Sequence, residues 1–249
     1  MESRIKSCPS KFFPFKAKNK SPFLTIQSSR GCPYSCGYYC TYGAFQGKLI
    51  RQRTAKLIVD DIIKIKQKYG IKSIQFRDPV FGLKKGFIDD FCDEMNKRKV
   101  KIKWGMETRP DLINEENLSN MFDVGLRLVN IGIETKDSEI AKKNKRKLVK
   151  EDYQEGIINY CYQKGIKVSA FFILGLENDT EHTIKKTIDY AINLNIFLAR
   201  FSISTPYPGT QFFDDLNEAD GLLTQDFEEY TQFNLVYDHP NLKPDRAKY

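Results

Sequence analysis

Three of the six cysteines in this 249-residue chain fall within nine residues, in the run Ser29-Arg30-Gly31-Cys32-Pro33-Tyr34-Ser35-Cys36-Gly37-Tyr38-Tyr39-Cys40. Thiolates are the natural ligands of iron–sulfur clusters, and closely spaced cysteines on a loop can fold around one. Three thiolates rather than four leave one iron without a protein ligand, an open position where a small molecule can be bound and activated. Two blander readings stand beside this one: a helical face at i, i+4 and i+8, or a structural zinc with a fourth ligand. Gly31, Pro33 and Gly37 oppose the helix, and zinc sites more often pair cysteines two residues apart with another Cys or His close by, whereas the two histidines are His182 and His239. Cys92 and Cys161 sit in helical patterns and read as small core hydrophobes, and Cys8 has no readable role.

The elements that must position this loop are legible as alternation. Gly70, Gly125 and Gly165 each end a helical pattern and precede an apolar, β-favouring run, and the periodicity predicts helices over 54–69, 85–97, 115–124, 152–164 and 179–194. Asn114 and Asp179 are start signals for two of them. Strands over 23–27, 73–76, 101–106, 128–131, 168–173 and 200–204 complete an α/β chain, a largely parallel sheet with right-handed crossovers, best described as a partial (β/α)6 barrel. Polar residues recur where these strands end: Ser28-Ser29-Arg30, Arg77-Asp78, Glu107-Thr108-Arg109, Glu134-Thr135, Glu177 and Thr205. In a β/α barrel that rim is where chemistry is assembled. The glycine-rich phosphate turn of an open dinucleotide-binding sheet is missing after the first strand; cysteines follow it instead.

In this order the motifs resemble those of the radical S-adenosylmethionine (SAM) superfamily, and more closely its branch whose members often carry a cobalamin-binding domain. The resemblance covers residues 22–215 and implies a [4Fe-4S] cluster on Cys32, Cys36 and Cys40, with SAM on the open iron, reductive cleavage to a 5'-deoxyadenosyl radical, and hydrogen abstraction from a substrate. The family usually leaves three and then two residues between its cysteines, whereas three and three are found here, so one residue is inserted. Tyr39 corresponds to the aromatic expected at the adenine, and Tyr38 is the extra residue. By position, the resemblance implies Asp78 for the SAM amino group, Arg109 and Arg146 for its carboxylate, Glu134 for the ribose and Gly175 for the adenine, with Glu177 a weaker candidate.

Forty basic and thirty-two acidic side chains give a net charge of +8. Lysines are spread over nearly every predicted helix, and no basic stripe interleaved with aromatics is seen, so a nucleic-acid partner is allowed but not favoured. No apolar run nears the roughly 18 residues needed to span a bilayer, and residues 1–21, with five lysines and one arginine, read as a basic leader and not as a secretory signal; a cytoplasmic location is expected. The expected division is therefore a leader over 1–21, a core over 22–215 and a tail over 216–249, with no space for a cobalamin domain ahead of the first strand. Beyond its substrate, such an enzyme needs an electron donor such as flavodoxin or ferredoxin. Two alternatives remain at this level: a radical enzyme modifying tRNA or another nucleic acid, and a non-catalytic, shortened barrel using a cluster or zinc for structure.

Overall fold

The structure is a computed structural model and describes residues 23–243. The basic leader with Cys8 and the last six residues of the tail lie outside the described residues. The strands are β1 (Phe23–Ile26), β2 (Ser29–Arg30), β3 (Arg51–Gln52), β4 (Ser73–Phe76), β5 (Lys103–Thr108), β6 (Leu126–Glu134), β7 (Lys167–Leu174) and β8 (Leu198–Ile203). The helices are α1 (Thr41–Gln46), α2 (Ala55–Tyr69), α3 (Phe87–Lys97), α4 (Glu115–Asp123), α5 (Ser138–Lys143), α6 (Glu151–Lys164), α7 (Glu181–Asn193) and α8 (Gln211–Glu218). Six strands form one parallel sheet in the order β1-β4-β5-β6-β7-β8, with β1 and β8 at its two edges. This is the arrangement expected of a partial barrel.

Local chemistry explains the helix ends. The Thr54 hydroxyl accepts from the Leu57 amide to start α2, and capping boxes pair Asn114 with Asn117 at α4 and Thr180 with Thr183 at α7. Gly70 and Gly165 close α2 and α6 in the left-handed conformation, as the repeated glycine signal predicts. Thr180, not Asp179, is the cap of α7; the Asp179 carboxylate instead accepts from the Leu176 amide (3.0 Å) and the Thr183 hydroxyl (2.7 Å).

One face of the sheet packs on the helices. Phe76, Phe81, Phe91 and Trp104 form an aromatic knot with ring centroids 4.8–5.9 Å apart, mostly tilted or edge-on, geometry that adds about 0.5–1.5 kcal/mol per pair beyond area burial. The Trp104 indole N–H donates to the Val124 carbonyl at 3.0 Å, so the ring is both packed and satisfied. Among the described residues no helix is long and apolar enough to cross a membrane.

Several elements differ from the sequence expectation. β5 starts at Lys103 and not at residue 101, because pairing begins where the Lys103 amide donates to the Lys72 carbonyl (3.3 Å). β8 starts at Leu198 and not at residue 200, just after the Phe197 amide bonds the Val168 carbonyl (2.8 Å). The helices α1, α5 and α8 and the two-residue ladder of β2 with β3 have no counterpart in the expectation, being too short to show periodicity. The tail folds back: Leu235 and Tyr237 join Phe212 of α8 in a second small core, against which Tyr38 and Tyr39 pack.

Candidate active site

The cysteine loop is held by its backbone before its side chains matter. Gly31 has φ +91°, and a Cβ there would lie 2.0 Å from the Leu49 carbonyl oxygen, so only glycine lets the chain pass. The next amide, of Cys32, donates to the Gly47 carbonyl at 3.0 Å. Residues Ser35–Tyr38 then make one 3-10 turn, and the Cys40 amide donates to the Cys36 carbonyl (2.9 Å) as Cys40 caps α1. The loop is therefore partly helical, despite the glycines and proline that oppose a continuous helix.

Below the loop, Asp78 acts as an anchor. Its side chain is fully buried; Oδ1 accepts from the amides of Ser28 (2.7 Å) and Ser29 (2.6 Å), and Oδ2 accepts from the Ser28 hydroxyl (2.8 Å). One carboxylate at the end of β4 thus ties down the end of β1 where the chain turns into the cysteines. Burial raises its pKa while these donors pull it back.

The three thiols line a cavity of about 440 Å³ at the carboxyl ends of the strands. Of the residues implied for the cofactor, Tyr39, Arg109, Glu134 and Arg146 line this same cavity. Asp78 does not, because its lone pairs are committed to Ser28 and Ser29. Gly175 does not either: it faces a separate cavity of about 550 Å³ between α7 and the tail, and its carbonyl accepts from the Tyr237 hydroxyl at 2.6 Å. The larger cavity contains no cysteine.

The polar wall is built by β5, β6 and the segment after α5. Glu134 closes β6 at φ +73°, an uncommon conformation for a residue with a side chain, beside a register shift between Gly132 and Glu134 in the pairing with β7. The bulge turns the carboxylate into the cavity, 3.5 Å from the Arg146 guanidinium, which also donates to the Gly132 carbonyl. Burial pushes the Glu134 carboxyl up, and Arg146 and Arg109 oppose that shift. Arg109, 3% exposed, donates from Nε to Asp111 Oδ1 (2.8 Å) and from Nη2 to the Lys147 carbonyl (3.0 Å), and lies over the Tyr34 ring. Its Nη1 has no partner, and neither has the Tyr39 hydroxyl. The two tyrosines of the loop diverge: Tyr39 lines the cavity, whereas Tyr38 packs on Phe212 (5.5 Å between centroids) and donates to Glu177 Oε2 (3.2 Å).

The donor set suits an iron–sulfur cluster. Three thiols come from one loop, a guanidinium stands ready to offset thiolate charge, and buried polar atoms are left without partners. Burial raises the Cys36 thiol pKa, which Arg146 opposes, and pushes that of Cys40 up to about 12, so binding of a metal by these thiols would release protons. Among the described residues no three His, Cys, Asp or Glu side chains are gathered tightly enough for a single ion.

Other cavity residues escaped the sequence reading: Asn130, Phe171 and Arg200, with Ser169 buried next to Asn130 across the β6–β7 pairing. The available signal was a polar residue inside a parallel strand, at Asn130 and Ser169, where burial on both faces favours apolar side chains.

Residues 26–191 match the Radical SAM superfamily. An uncharacterized methyltransferase of Pyrococcus horikoshii is 28% identical over 86% of this chain and 46% of its own length. The anaerobic magnesium-protoporphyrin IX monomethyl ester cyclase of Rubrivivax gelatinosus is 33% identical over 87% of this chain and 38% of its own. The chain thus spans less than half the length of these relatives. Among solved structures, the radical SAM methyltransferase TsrM from Kitasatospora setae, with cobalamin and a [4Fe-4S] cluster bound, superposes with TM-score 0.74 at 19% identity, covering 83% of this chain and 39% of that one. A second structure of the same protein, holding tryptophan and a SAM analogue, gives 0.73. With the cysteine loop, the parallel six-stranded sheet and the match over two thirds of its length, this chain belongs to the radical SAM superfamily, whose cofactors are a [4Fe-4S] cluster and S-adenosylmethionine.

Proposed function

We propose that Cys32, Cys36 and Cys40 carry the cluster, and that the chain reductively cleaves SAM and abstracts a hydrogen atom from a substrate bound in the same cavity. The observation that supports this best is the convergence of the three thiols with Tyr39, Arg109, Glu134 and Arg146 on one space. When bound, the cluster and SAM supply an electron from an external reductant and a 5'-deoxyadenosyl radical. The chain's own residues bind and shield. Glu134, held by its bulge, accepts hydrogen bonds from the ribose hydroxyls, and Tyr39 offers its ring to the adenine. Arg146, paired with Glu134, and the free Nη1 of Arg109 offer N–H donors to the carboxylate of SAM. Asp78 is reassigned: it positions the loop and does not meet the cofactor. An acidic flavodoxin or a ferredoxin is the proposed electron donor.

Anaerobic reconstitution of the full chain with iron and sulfide, followed by reduction in the presence of SAM, tests this reading. It predicts a brown protein that forms 5'-deoxyadenosine, with both properties lost in Cys36→Ala. A chain that takes up only zinc, or assembles a cluster yet leaves SAM intact under strong reduction, contradicts it.

A further inference from the structure

The charged groups of the cavity fall into two sets. Glu134, Arg146 and Arg109 act on the Cys36 thiol, whereas the nearby cations acting on Glu107 are Arg77 and Arg200. The second set has no role in the reading above.

Strand register orders this second set. Glu107, Asn130 and Ser169 are partners across β5, β6 and β7, forming one rung. Gly132, Phe171 and Arg200 form another rung two residues further toward the carboxyl ends. Arg77 commits Nη1 to Glu107 Oε1. Arg200 has no such commitment: its guanidinium lies 5.2 Å from the Phe171 centroid and, among the described residues, forms no salt bridge. Two guanidiniums against one carboxylate leave a local excess of positive charge. Asn130 and Ser169, 4% and 0% exposed, bury Oδ1 and Oγ atoms that have no partner. An orphaned polar atom in such a place costs free energy until something bonds it.

We infer that this part of the cavity is a subsite for an anionic substrate, whose carboxylate or phosphate is received by the guanidinium of Arg200 while a hydroxyl or amine of the same molecule bonds Asn130. This rests on the cavity being the radical site, and it adds the substrate class. A guanidinium lying over an aromatic ring can still offer two parallel N–H bonds to a planar carboxylate or to phosphate. Two residues along a strand separate the rungs by about 6.6 Å, which sets the order of spacing between anion and donor in the substrate.

Calorimetric titration of the full chain with inorganic phosphate and, separately, succinate tests the subsite without requiring a cluster or turnover. At least one of the two anions is expected to bind saturably, with an affinity weakened by about tenfold or more in Arg200→Gln and by less in Arg200→Lys, because lysine keeps the charge but loses the planar pair of N–H donors. Saturating SAM is expected to leave this binding in place. Binding of phosphate alone assigns a phosphate-bearing substrate, and of succinate alone a carboxylate. Absence of binding by the unmodified chain, equal affinity in Arg200→Gln, or displacement of the anion by SAM overturns the proposal. Failure of SAM cleavage with intact anion binding would count against the radical reading alone.

Discussion

Tyr38, one of two adjacent tyrosines in the cysteine loop, donates its hydroxyl to Glu177 Oε2 at 3.2 Å, across 139 positions of sequence. The same ring packs on Phe212, which meets Tyr237 edge-on at 5.2 Å, and Tyr237 in turn donates to Gly175. Tyr38 therefore lies outside the cavity that Tyr39 lines and joins the loop, α8 and the tail to the turn that follows β7.

That bridge has a measurable worth. Tyr38→Phe is expected to cost about 0.5–1.5 kcal/mol, the net value of one hydrogen bond. A double-mutant cycle with Glu177→Gln, followed by thermal unfolding, should return a coupling energy of the same order. Additive effects would show that the two side chains act independently.

Gly31→Ala is expected to be severe. The added Cβ meets backbone oxygen at 2.0 Å with φ at +91°, so the strand entering the loop must move and Cys32 with it. Iron content after anaerobic reconstitution should fall well below that of the unmodified chain, and the melting temperature should drop. A variant with full iron content would contradict the positioning role.

Asp78→Ala separates an anchor from a cofactor ligand. Two buried amides lose their acceptor, at about 1–3 kcal/mol each. Stability and the fraction of chains holding a cluster should decline, yet the chains that do hold one should bind SAM with unchanged affinity. A weakened SAM affinity in that fraction would restore Asp78 to the cofactor.

Arg146→Met should strand Glu134 without its cation, and breaking a buried pair in this way typically costs about 3–5 kcal/mol. The double variant Arg146→Met with Glu134→Gln should recover part of that loss in urea unfolding. Recovery beyond the sum of the two single variants measures the coupling of the pair.

A pH effect follows from Asp111. Burial alone would raise its pKa, but hydrogen bonds from Arg109 and Lys147 outweigh it and hold the carboxyl below its usual 3.8. The folded state then binds fewer protons than the unfolded one, so this stabilisation is present above pH 3.8 and is lost as pH falls through the depressed value. Acid unfolding of Asp111→Asn should show a shallower dependence on pH in that range than the unmodified chain.

The cysteine loop, the helix cap at Asn114, the glycine ends at Gly70 and Gly165 and the parallel alternation of strands were all legible in sequence, because each depends on residues close together in the chain. Glu134 and Arg146 stood out in the sequence near the end of a strand or short helix, and both line the cavity with the thiols. The role of Asp78 was not. Its carboxylate is consumed by donors 49 and 50 positions away, and a local motif carries no record of which lone pairs a distant strand end will take. Gly175 likewise turned toward a tail whose path depends on Phe212 and Leu235.

By itself, then, the sequence determined the chemistry available here: three closely spaced thiols, a parallel sheet to hold them, and charged residues at the ends of its strands. Those follow from residue type, short spacing and periodicity, which are properties of the chain before it folds. The tertiary structure alone decided which of two adjacent tyrosines faces the cavity, which carboxylate is an anchor, and that Asn130, Ser169 and Arg200 share neighbouring rungs. The reason is strand register: a shift of one residue moves every side chain to the opposite face, and that choice is made only when the strands pair.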